Sequence, residues 1–166
     1  VSLISEKGKL GQALSILKND MVGSYCFTFL SDDSSVYAAR DPKGFRPMVM
    51  GKKEDGKTHI VASESSALSA IGAKLERDVT PGELIKLSKN GVETEMFSDD
   101  TSRAHCSFEF TYFAHPSSKM EGANIYIARK NIGRFLAKKF PFKDADLVIP
   151  VPDSARPAAL GYAQEL

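Results

Sequence analysis

A chain of 166 residues is long enough for one domain, or for one domain and part of another. Folded, such a length buries roughly 68–70% of the surface that the unfolded chain exposes, so a proper core is possible. With 42% hydrophobic and 26% charged residues and a formal net charge of +1, there is no electrostatic case for nucleic acid or an anionic membrane as partner. No apolar run approaches the ~20 residues of a membrane span, and no signal-peptide pattern opens the chain. The two cysteines, Cys26 and Cys106, are too far apart to form a local staple, which fits a reducing compartment.

Leu10, Ala13, Leu14 and Leu17 repeat at helical spacing and predict an amphipathic helix over Ser5–Asn19. In Ser24–Leu30, Tyr25, Phe27 and Phe29 alternate with Cys26, Thr28 and Leu30, the pattern of a strand buried on both faces. After a polar turn, Val36–Arg40 reads as the next strand. Asp41-Pro42-Lys43-Gly44 then forms a tight turn, proline fixing one backbone angle and glycine permitting a positive one. Further strands are expected at Arg46–Met50 and His59–Ala62, separated by a charged loop, Lys52–Lys57. A short helix follows through Ala67, Leu68 and Ile71, with Ser63 a plausible cap. Pro81-Gly82 and Asn90-Gly91 flank a hairpin of Leu84–Leu87 and Val92–Met96. To this point the pattern is that of an α+β layered domain.

A polar stretch, Phe97–Ala104, reads as a linker. Cys106–Phe113 is densely aromatic, and periodicity does not decide between strand and helix. Asn124 can cap a helix running to about Phe140. Leu147–Val151 reads as a short apolar strand, followed by the turn Pro152-Asp153-Ser154 and a helix over Ala155–Leu166. Helix, strand, polar turn and helix form the opening of an α/β unit with a parallel sheet.

Five blocks in one order carry a resemblance. Gly23–Gly51, with its arginine-aspartate-proline turn, Val61–Leu68 and Arg77–Leu87 are similar to the glutaminase half of the amidophosphoribosyltransferase family. Cys106–Ser118 with Asn124–Gly133, and then Val148–Ala155, resemble the start of that family's phosphoribosyltransferase half. The resemblance implies an α+β fold in which residues 1–100 are the later part of an Ntn-type αββα glutaminase sandwich. Residues 101–166 would open an α/β type I phosphoribosyltransferase domain. It also implies an enzyme that uses glutamine-derived ammonia to displace pyrophosphate from phosphoribosyl pyrophosphate. Mg2+ would assist by neutralising pyrophosphate charge, and the parent would be a cytoplasmic homo-oligomer. The family's cysteine nucleophile and oxyanion hole precede the matched stretch, and its acidic phosphoribosyl pyrophosphate loop follows it. No catalytic residue is therefore assigned here, and this polypeptide alone is expected to be inactive. Val1 is neither an initiator methionine nor an amino-terminal nucleophile, and Leu166 falls inside a helix-like stretch, so both ends read as cut.

Among individual residues, Ser154 is the foremost site candidate. Read from the residues alone, Asp153 or Ser154 caps the helix that follows. The resemblance instead implies a magnesium-ligating hydroxyl at Ser154 and a substrate-binding role for Ser154 and Asp153. Cys106 stands where many family members place the first ligand of a 4Fe-4S cluster; the other reading is a buried thiol. Such a cluster needs four thiolates, and this chain offers one at a matching position. Cys26, mid-strand, reads as structural. His59, His105 and His115 have no metal-ligand spacing, and turn chemistry accounts for Asp41. The chain departs from the family at Ala114-His115-Pro116-Ser117-Ser118, where an arginine and an acid are lost together, which puts the local geometry in doubt. A different amino-terminal-nucleophile amidotransferase is a rival, although Val148–Ala155 argues against it. A non-catalytic scaffold relative is another.

Overall fold

A computed structural model of the chain describes residues 10–100 and 102–166. Contacts divide it into two compact units. One runs through Ser63 and resumes over Ala67–His105; the other comprises Glu64–Ser66 and Cys106–Leu166.

The first unit holds two antiparallel sheets. Strands β1 (Cys26–Leu30), β2 (Val36–Arg40), β6 (Glu83–Ser88) and β7 (Gly91–Met96) form one, in the order β1-β2-β6-β7. Strands β4 (His59–Ala62), β3 (Val49–Lys53) and β5 (Ala73–Asp78) form the other, in the order β4-β3-β5. Helix α1 (Leu10–Asp20) precedes the sheets, and α2 (Ser65–Ala70) lies between β4 and β5.

Strand alternation sorts the apolar side chains into three layers. Ala38 of β2 and Ile85 of β6 meet Met48, Met50 and Val79 between the sheets. Their chain neighbours Ala39 and Leu84 point the other way, onto Leu14 of α1 and Phe97. On the far side Val49 and Ala73 pack against Leu68 of α2. The layer order is therefore α1, four-stranded sheet, three-stranded sheet, α2: an αββα sandwich. Gly51 permits the last contact, since a Cβ there would lie 2.6 Å from Leu68 Cδ1.

Several expectations are corrected. The first helix is described from Leu10, and its expected start at Ser5 lies outside the described residues. β1 is not buried on both faces: Cys26, Thr28 and Leu30 are exposed and only Phe27 and Phe29 are half-buried. It is an edge strand, with only its aromatic face covered. β3 begins at Val49 rather than Arg46, and β5 was not anticipated. The expected linker begins with two buried residues, Phe97 at 3% and Ser98 at 5% exposure.

In the second unit, the aromatic block resolves into a π-helical turn, Glu109–Phe113. A small hairpin follows, β8 (Lys119–Met120) with β9 (Ala123–Asn124). Helix α3 (Ile125–Lys139) is capped as expected, with Asn124 Oδ1 accepting from the Ile127 amide at 3.0 Å. Helix α4 (Arg156–Glu165) packs along α3. The expected strand Leu147–Val151 has no ladder partner among the described residues, and Leu147, Ile149 and Val151 are 73–79% exposed. A strand exists only by pairing, so this segment is not one here.

Candidate functional site

The turn after β2 is organised by two buried charged residues. Arg40, 1% exposed, donates to the carbonyls of Arg46 (2.9 Å), Val79 (2.6 Å) and Gly44 (3.0 Å). Asp41 accepts from the amides of Lys43 at 3.0 Å and Phe45 at 3.1 Å. Gly44 sits at φ +59°, and a Cβ there would lie 2.5 Å from the Pro81 ring. These contacts set the backbone shape of the turn.

A cavity of about 720 Å³ lies beside this turn, lined by Tyr25, Asp41, Lys43 and Phe45 among others. Another of about 580 Å³ shares Lys18, Ser98 and Asp100 with it. The Tyr25 hydroxyl is closed off from solvent without a hydrogen-bond partner among the described residues, and burial, with the Asp41 charge adding, raises its pKa. Lys18 is engaged by Ser98 Oγ at 3.3 Å and Asp99 at 3.6 Å. Lys18 and Ser98 are turned onto one another, and among the described residues no nucleophile–base pair converges on either cavity.

The second unit contains a polar network that the sequence reading did not anticipate. Glu64 Oε2 accepts from the His115 amide and from Ser118 Oγ, both at 2.8 Å. Ser118, fully buried, in turn accepts from the Ser66 amide at 3.2 Å. The Ser65 hydroxyl accepts from the Lys119 amide at 2.8 Å. Arg129, 2% exposed, donates to the carbonyls of Phe110 (2.8 Å) and Ala114 (2.8 Å), tying off the π-helical turn. Burial lowers its pKa, and the nearby Glu64 charge works against that. At the positions where the resemblance leads to the expectation of an arginine and an acid, His115 Nδ1 lies 2.7 Å from Ser117 Oγ. No short motif announces this network, because its members are up to 65 positions apart. The one visible signal was an arginine inside the apolar pattern of α3.

Ser154 and Asp153 are adjacent in the turn before α4, but their environments differ. The N-cap position is Ala155, so no side chain caps the helix there. Asp153 is exposed and its carboxylate pairs with the Arg156 guanidinium at 2.8 Å. Ser154 is half-buried, and its hydroxyl makes no hydrogen bond among the described residues. The capping role read from the residues alone is therefore not the one observed. A lone hydroxyl suits Mg2+ only as one ligand of an ion held mainly by water and phosphate oxygens. Among the described residues there is no group of three or more acidic, histidine or cysteine side chains able to hold a metal.

Cys106 is a half-buried free thiol directly before the π-helical turn, its carbonyl accepting from the Glu109 amide at 3.1 Å. The chain's other cysteine, Cys26, belongs to the first unit and is exposed, not buried mid-strand as expected. One thiol at this place does not fit a four-thiolate cluster.

Comparison with known proteins agrees with this architecture. A glutamine amidotransferase domain profile matches residues 6–70. The amidophosphoribosyltransferase of Mycobacterium tuberculosis (strain H37Rv) is 44% identical over 156 residues, covering 94% of this chain and 29% of that protein. The amidophosphoribosyltransferase of Methanothermobacter thermautotrophicus is 42% identical, with 96% of this chain and 33% of that protein covered. A solved structure described as the allosteric regulatory enzyme of purine biosynthesis superposes with a TM-score of 0.90 at 36% identity. That match covers 99% of this chain and 35% of the other. The glutamine phosphoribosylpyrophosphate amidotransferase of B. subtilis, complexed with ADP and GMP, gives 0.88 at 36% identity, over 98% of this chain and 35% of that one. The chain thus spans about a third of the length of the proteins it matches. Over that stretch, in sequence and in fold, it is a homologue of the amidophosphoribosyltransferases.

Proposed function

We propose that this chain is part of an enzyme that transfers glutamine-derived ammonia to phosphoribosyl pyrophosphate, giving phosphoribosylamine and pyrophosphate. The observation that carries the reading is 44% identity across 94% of the chain to proteins named for that activity, joined to an αββα sandwich. Residues 1–100 belong, on this reading, to the glutaminase domain and 101–166 to the start of the phosphoribosyltransferase domain. The parent enzyme is a cytoplasmic homo-oligomer.

Within this reading Ser154 and Asp153 form the near wall of the phosphoribosyl pyrophosphate site. The half-buried Ser154 hydroxyl, without a partner among the described residues, is the group available to a Mg2+ ion carried by the pyrophosphate. When bound, that ion neutralises charge on the leaving group. Arg156 holds the Asp153 carboxylate beside it.

A chimera tests the proposal. The matching stretch of the B. subtilis relative is replaced by these 166 residues, and glutamine-dependent pyrophosphate release is measured. Activity in the chimera, and none from the chain by itself, is the expected outcome. A chimera that folds and assembles like its parent yet releases no pyrophosphate overturns the reading.

A further inference from the structure

We propose that Asn90 is a site of spontaneous deamidation in the native chain. Asn90 and Lys89 form the turn between β6 and β7, with Ser88 and Gly91 as the closing pair of the hairpin. Asn90 is exposed, and its side-chain amide makes no hydrogen bond among the described residues; its backbone amide donates to Ser88 Oγ at 3.2 Å. Gly91 follows at φ +118°, and among the described residues no heavy atom outside the glycine and its two chain neighbours lies within 4 Å of the place a Cβ would take. The peptide nitrogen of Gly91 thus has no side chain screening its approach to the Asn90 carboxamide.

The chemistry balances with water alone. The Gly91 backbone nitrogen attacks Asn90 Cγ, closing a five-membered imide as the carboxamide C–N bond breaks. The proton lost from that nitrogen leaves with the carboxamide nitrogen as ammonia. Water then opens the imide at either carbonyl, leaving aspartate or isoaspartate at position 90. Asparagine is among the thermolabile residues, and at position 90 it is exposed. The other asparagines are held. Asn124 Oδ1 caps α3 through the Ile127 amide at 3.0 Å. Asn19 and Asn131 lie inside helices, each followed by a residue with a Cβ.

The test is to incubate the chain at mildly alkaline pH, in buffer and in parallel in denaturing urea. Peptide mass spectrometry then follows the exchange of amide nitrogen for oxygen at each asparagine. Native conversion at position 90, ahead of positions 19, 124 and 131 and absent from an N90S variant, is the expected result. Conversion in urea with Asn90 intact in buffer would overturn the proposal, because the folded turn would then block the reaction. So would native conversion that begins at another asparagine.

Discussion

Gly133 of α3 and Gly161 of α4 are the points at which the two helices touch backbone to backbone. A Cβ on Gly133 would overlap the Ala158 carbonyl, and one on Gly161 would overlap the Lys130 carbonyl. In an isolated helix, glycine to alanine is worth about 1 kcal/mol of stabilisation. Here the sign reverses, because the added methyl meets main chain that cannot rotate away. Gly133→Ala and Gly161→Ala are each expected to destabilise the second unit by about 1–3 kcal/mol, the cost of overpacking. Urea unfolding followed by far-ultraviolet circular dichroism measures this. A raised midpoint in either variant would show that the helices part at no cost.

Arg40 is the matching fixed point of the first unit. Its guanidinium serves three carbonyls from three directions, and an ammonium cannot reproduce that fork. Arg40→Lys therefore leaves buried carbonyls short of donors, each worth about 1–3 kcal/mol. A lowered thermal midpoint is expected for Arg40→Lys, and a larger drop for Arg40→Met. Equal midpoints for wild type and Arg40→Lys would mean that the fork geometry is irrelevant.

Much of the sandwich was legible because turn signals such as Asp41-Pro42-Lys43-Gly44, Pro81-Gly82 and Asn90-Gly91 bound its strands. The split of the adjacent pairs Ala38/Ala39 and Leu84/Ile85 between two cores came only with the structure, which shows which sheet face meets which layer. β1 misled because both of its faces are apolar, while burial depends on where the strand sits in the sheet. β5 was hidden by Lys74, Glu76 and Arg77, which are tolerated on a sheet margin. Arg40 was invisible as a core residue and Arg129 showed only as an arginine within an apolar helical pattern, because their burial depends on carbonyls brought near by the fold. The turn at Ser154 was legible by position, but its freedom from capping was not, since that depends on which residue takes the helical boundary.

Asp55 provides a pH-dependent reporter. Its carboxylate accepts from Thr58 Oγ1 at 2.6 Å and from the amides of Thr58 and Lys57, both at 2.8 Å. Chiefly through the Thr58 hydroxyl, these bonds lower its pKa from 3.8 to about 2. A folded-state value below the unfolded one contributes stability that is present above the unfolded pKa. That contribution is lost as pH falls from 3.8 through about 2. Thr58→Val deletes the largest contribution and keeps both amide donors, so the Asp55 pKa should rise part of the way toward 3.8. Carboxyl-detected NMR titration reads it directly. An unchanged value in Thr58→Val would assign the shift to the amides alone.

Ser154 separates chemistry from capping. If its hydroxyl only ended a helix, Ser154→Ala would cost about 1 kcal/mol of stability and leave turnover intact. The structure places Ala155 at the cap and records no hydrogen bond to the Ser154 hydroxyl among the described residues, so stability should barely change. In the chimera described above, the variant should instead lose a contact to a charged partner, worth about 1.5–3 kcal/mol. That corresponds to a fall of roughly 10- to 150-fold in kcat/KM for phosphoribosyl pyrophosphate. The fall should be accompanied by a raised Mg2+ requirement, with glutamine hydrolysis assayed separately and unchanged. A lowered melting temperature with normal kcat/KM would return Ser154 to the capping role and remove it from the site.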